Sequence, residues 1–122
     1  MGWQRIWIAL AGLAGCGAVA MAAVGAHALQ GLPEARVAAV RSGIQMQGWH
    51  ALALFGAALW VPQGGVLAQL AAGAFAIGML LFCGAVYAHG LGGVSLGMVA
   101  PTGGTLLMLG WLLLGASALR VR

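Results

Sequence analysis

Charge is almost absent from this chain, and that constrains its fold more than any other feature. Five arginines and one glutamate are the only formally charged side chains in 122 residues, and Lys, Asp and Asn do not occur. A water-soluble domain covers its surface with charged groups, typically about a quarter of its residues. Here the arginines stand at the edges of long apolar runs. The solvent of most of the chain must therefore be lipid.

Crossing the hydrocarbon core takes about 20 apolar residues as helix. Four segments qualify, centred on residues 6–28, 46–61, 66–88 and 99–119. All are rich in Ala, Leu and Gly, and none shows the period-2 alternation of a membrane barrel. Gly31-Leu32-Pro33 and Pro62-Gln63-Gly64-Gly65 mark two breaks, and Gly90-Leu91-Gly92-Gly93 a third. Pro33 suits the first position of a new helix, and Glu34 its positive dipole end. Val37, Val40 and Ile44 then share one side, with Arg36 and Arg41 elsewhere. The expected fold is all-α: a single domain over 1–122, an integral membrane bundle of four transmembrane helices with an amphipathic lead-in to helix two.

Four spans put both termini on one side, with Arg5, Arg120 and Arg122, and leave Arg36 and Arg41 on the other. The positive-inside rule then favours cytoplasmic termini. Trp3, Trp7 and Trp60 fall near the same interface, as aromatic anchors. Arg5 and the apolar run after it resemble a signal peptide, and Leu13-Ala14-Gly15-Cys16 fits a lipoprotein cleavage site. The run continues well past Cys16, which favours an uncleaved span. Cys16 and Cys83 are expected at different depths, as small packing residues and not as a disulfide. The formal charge of +4 and pI near 10.7 come from arginines scattered at helix ends, where they orient the chain and meet anionic lipid. No nucleic-acid partner is implied.

Polar side chains inside a membrane are costly, so each is a lead. With four spans, helices one and three end, and helices two and four begin, on the side away from the termini. That gathers His27, Gln47, His50, Tyr87 and Thr102, with His89 nearby, towards one membrane face. The opposite half is expected to be almost purely apolar. Gln47 and His50, three residues apart, share a helix face. The expected arrangement is one hydrogen-bonded cluster, serving either as a structural network or as a binding or transport site.

The three His show no tight ligand spacing, and no carboxylate is available to orient a ligating imidazole. Metal or haem binding, with Met46 and Met98 near the His, is therefore a minor alternative. No Ser–His–Asp set or buried acid supports hydrolysis, and no intramembrane Asp or Glu supports proton pumping. The chain is read as a non-enzymatic accessory or scaffold subunit without cofactor or catalytic residue. Its expected partners are the lipid bilayer and other membrane subunits or further copies of itself. A small oligomeric channel or transporter is the rival reading.

Several of these residues fall in motifs. They are Gly25-Ala26-His27-Ala28-Leu29, Gln47-x-x-His50-Ala51-Leu52, Leu81-Phe82-x-Gly84-x-x-Tyr87, and Pro101-Thr102-Gly103-Gly104 followed by Gly110-Trp111. In this order and spacing the chain resembles the small four-helix bacterial membrane proteins of domain-of-unknown-function family 423, related to eukaryotic transmembrane protein 256. The resemblance covers nearly the whole chain. It departs at Met46, where the family often has Tyr, and at Cys83 and Ala85, where serines are common. It implies a bacterial inner-membrane protein and brings no established activity.

Overall fold

The computed structural model describes residues 2–120; Arg122, counted in the charge reading, lies outside the described residues. Three helices form: α1 (Gly2–His27), α2 (Glu34–Gly92) and α3 (Val99–Leu119). Each is long and apolar enough to cross a membrane. The expectation of four separate transmembrane helices is thereby corrected. The break expected at 62–65 shrinks to one residue, Gly65 (φ 64°, ψ −141°), and the helix resumes directly. Only glycine reaches that conformation cheaply.

A straight helix of 59 residues would be about 88 Å long, roughly three hydrocarbon thicknesses. Instead α2 doubles back at Gly65. Cys83 Sγ lies 3.5 Å from Gly43 O, and Tyr87 Oη 2.7 Å from Gln47 Oε1. Its N-terminal limb (34–64) and C-terminal limb (66–92) therefore lie side by side. Gly43 permits this, since a Cβ there would fall 2.5 Å from Tyr87 Cε1. The core where limbs and helices meet holds Leu54, Ala57, Ala71, Ala72 and Phe75, all fully buried.

The amphipathic lead-in read at 33–44 is the first section of α2 itself. Residues 34–44 run straight into the apolar part of the helix, Gly43 included. Val40 is fully buried there. Arg36 donates from Nε to Gly90 O and from Nη2 to Leu91 O, both at 3.0 Å. A cation thus satisfies two end carbonyls of the same helix at the negative pole of its dipole. Gly93 (φ 68°) closes that end, its N–H donating to His89 O.

Pro62 lies inside α2 and cannot donate a backbone hydrogen bond, which frees the carbonyl four residues earlier, Ala58 O. Ala58 is fully buried. Gln4 of α1 fills the vacancy, its Nε2 donating to Ala58 O at 3.0 Å. Gln4→Leu should therefore destabilise the fold by about 1–2 kcal/mol by stranding that carbonyl. In the Gln4→Leu/Pro62→Ala double variant the backbone bond can re-form, and most of that loss should return. Denaturant titration in mild detergent measures it; strictly additive effects would disprove the link.

Candidate functional site

The structure does not gather the expected cluster: Gln47 and Tyr87 meet, and His50 turns instead to α3. With the helix starting at Glu34, His50 stands near the middle of the N-terminal limb and not at a helix start. Three residues along a helix also turn it about 60° away from Gln47.

The first group is Gln47 with Tyr87. Tyr87 Oη donates to Gln47 Oε1 at 2.7 Å, and Gln47 Nε2 donates to Ala14 O of α1 at 3.0 Å. One side chain thus ties both limbs of α2 to α1. Gly17 makes the room, since a Cβ there would sit 2.6 Å from Gln47 Nε2.

The second group is His50 with Trp111 of α3. Trp111 Nε1 donates to His50 Nε2 at 3.0 Å, and His50 Nδ1 lies 2.7 Å from Met46 O. An indole N–H can only donate, so Nε2 must be the acceptor and Nδ1 carries the hydrogen given to Met46 O. Both ring nitrogens are therefore engaged. His50 is buried, and Phe75 packs on both rings, edge-on to Trp111 at 5.1 Å and tilted to His50 at 5.8 Å.

Two expected members stand apart. His27 is exposed at the end of α1. Thr102 is exposed and turns back on its own helix, Oγ1 donating to Met98 O at 2.8 Å. His89 is exposed too. Cys16 is exposed and Cys83 buried, both free. Among the described residues no group of three or more His, Cys, Asp or Glu could hold a metal ion.

The half of the molecule around Gly65, expected to be nearly apolar, carries a polar belt. It contains the Gln4 bond to Ala58 O, Trp7 Nε1 donating to Gln69 Oε1, and Trp60 Nε1 donating to Ser117 Oγ at 2.9 Å. Trp7 and Trp60, expected as interface aromatics, are hydrogen-bonded packing residues. The signal was present in the sequence: an indole N–H in lipid needs an acceptor, and Gln69 and Ser117 are acceptors at matching depth.

Between α1 and the C-terminal limb runs a groove of about 530 Å³. α1 is tied to that limb by the Trp7 bond to Gln69. Further along, α1 is held to the other limb by Gln47. The divergence leaves the groove, with Leu54, Met79 and Cys83 as its buried floor and Leu10, Ile77 and Leu80 as its exposed walls. Tyr87 and Gln47 close one end.

The family model described as "Protein of unknown function (DUF423)" matches residues 21–104. The chain belongs to this family. Its relatives include a UPF0382 membrane protein of Haemophilus influenzae, 32% identical over 87% of each chain. The UPF0382 membrane protein YwdK of Bacillus subtilis is 31% identical over 96% of this chain and 98% of its own. The UPF0382 inner membrane protein YgdD of Escherichia coli K12 is 29% identical over 98% and 93%. No solved structure matches. Relatives and apolar helices together make this DUF423 protein an integral membrane protein in contact with the lipid bilayer. Its motif residues Gln47, His50, Tyr87 and Gly103 all lie at helix contacts.

Proposed function

We propose that this chain is a non-enzymatic protein of the bacterial inner membrane, an accessory or scaffold subunit that packs on other membrane helices. The carrying observation is that its buried polar side chains are spent on its own helix contacts: no buried side-chain N or O among the described residues lacks a partner. His50, the best candidate for chemistry, has both ring nitrogens engaged. What the molecule offers outward is lipid-facing Leu, Val, Ile and Met, broken by grooves.

A channel within one chain is disfavoured. Fully buried Leu54, Ala57, Ala72 and Phe75 separate the Gln47–Tyr87 pair from the Gln4–Trp7–Gln69 belt, leaving no continuous polar path. The name of the Escherichia coli relative supports the inner-membrane placement, and the arginine balance favours cytoplasmic termini.

Purification from native membrane in mild detergent tests the subunit reading. A defined co-purifying membrane protein, or a homo-oligomer, is the expected result. A lone monomer would overturn it, and flux of a solute through reconstituted vesicles would replace it with the channel reading.

A further inference from the structure

Beyond the subunit role, the groove between α1 and the C-terminal limb of α2 has the form of a site for one lipid chain. Its lining from Ala76 to Tyr87 extends about 16 Å along the helix at 1.5 Å per residue. Exposed Ile77, Leu80 and Gly84 leave it open sideways to lipid. Its polar end is asymmetric. A glutamine amide has two N–H donors, and the structure uses one Gln47 N–H, on Ala14 O. Tyr87 spends its own hydrogen on Gln47 Oε1. A spare amide hydrogen and the Tyr87 oxygen thus remain at the head of an apolar groove. In hydrocarbon such a donor is costly to leave unmade.

We propose that this groove binds one acyl chain of a bilayer phospholipid, with its ester carbonyl accepting the second Gln47 amide hydrogen. Depth supports this occupant. Tyr87 stands five residues before the end of α2 at Gly92, about 8 Å below it. The Arg36 cation bound to Gly90 O and Leu91 O marks that end as the polar one, and ester carbonyls lie in the polar interfacial region.

The test uses the full chain in phosphatidylethanolamine vesicles. The probe is a phosphatidylethanolamine with a photoreactive diazirine midway along one acyl chain, and adducts are mapped by mass spectrometry. Adducts should concentrate on the segment holding Ile77 and Leu80 rather than on exposed Leu112 of α3. Gly84→Leu should block the groove, because a Cβ at Gly84 meets nothing within 4 Å and the side chain can extend into free space. Groove labelling should then fall about tenfold while Leu112 labelling stays constant. An ether-linked probe, which lacks the carbonyl, should label the groove about threefold to tenfold less, the weight of one hydrogen bond. Gln47→Leu should remove that ester–ether difference. Uniform labelling of Ile77, Leu80 and Leu112, or groove labelling unaffected by Gly84→Leu, would overturn the site. Equal labelling by ester and ether probes would overturn the carbonyl contact. Selective displacement of the probe by a prenyl quinone would overturn the phospholipid assignment. Because Gly84→Leu and the ether probe leave Gln47 intact, the proposal stays testable even if Gln47→Leu does not fold.

Discussion

Gly103→Ala should loosen the packing of α3 on α2 and destabilise the protein by about 2 kcal/mol, whereas Gly104→Ala should be neutral or stabilising. The first added methyl would overlap the backbone nitrogen of Phe82 and lie 2.9 Å from both Phe82 Cα and Gly78 O. These are main-chain atoms and cannot rotate away, so α3 must shift as a body. Overpacking of this kind costs about 3 kcal/mol at its upper end. Alanine's better helix propensity returns about 1 kcal/mol, leaving the net figure. At Gly104 the nearest atom is Phe82 Cδ2 at 3.8 Å, an ordinary contact. Only the propensity gain then remains. Membrane helices associate through such close approach, since lipid tails give them no hydrophobic reason to pack. Denaturant titration of both variants in one detergent decides the matter; equal stabilities would refute the close contact.

The same contact shows what could be read from the chain and what could not. Lipid as solvent followed from six charged residues in 122, because no arrangement of so few can cover a soluble surface. The ends of α1 and α3 followed from Gly31 and Arg120 and from the limits of the apolar runs. The number of helices did not follow. Pro62, Gly64 and Gly65 read as a break, yet Gln4 repairs the defect at Pro62 from another helix, and Gly65 alone makes the turn. A pairing between residues 4 and 58 leaves no local signature. The apolar part of helix two was centred too late, on 46–61, for the same kind of reason. Arg36 marks the section as interfacial by composition, but its side chain caps the far end of its own helix. A limb running over 34–64 puts His50 near its middle, and its contact with Trp111 takes it out of the expected cluster. Gln47 with Tyr87 could be read as a pair, because both are polar groups in lipid that need partners. Trp111 as the partner of His50 could not: its indole N–H also needs an acceptor, but which one it meets depends on how α3 packs on α2.

His50→Ala carries the other large effect, about 3 kcal/mol of destabilisation. Two losses add. Removing a buried ring opens a space against Phe75, whose ring lies 5.8 Å from that of His50. It also strands the Trp111 indole N–H, whose acceptor is His50 Nε2 at 3.0 Å. Trp111 is half-exposed and stands midway along α3. What surrounds it there is hydrocarbon, so no water can replace the lost acceptor. Trp111→Phe separates the two losses. It removes the donor and keeps an aromatic edge facing Phe75, which should cost about 1–2 kcal/mol. Once the donor is gone, losing His50 strands nothing on α3. The double variant should therefore be less destabilised than the sum of the single variants, by about 1 kcal/mol. Unfolding of the four proteins in one detergent, followed by loss of helical circular dichroism, completes the cycle. Additivity would mean that His50 contributes through packing alone and that the Trp111 hydrogen bond carries no weight in holding α3 to α2.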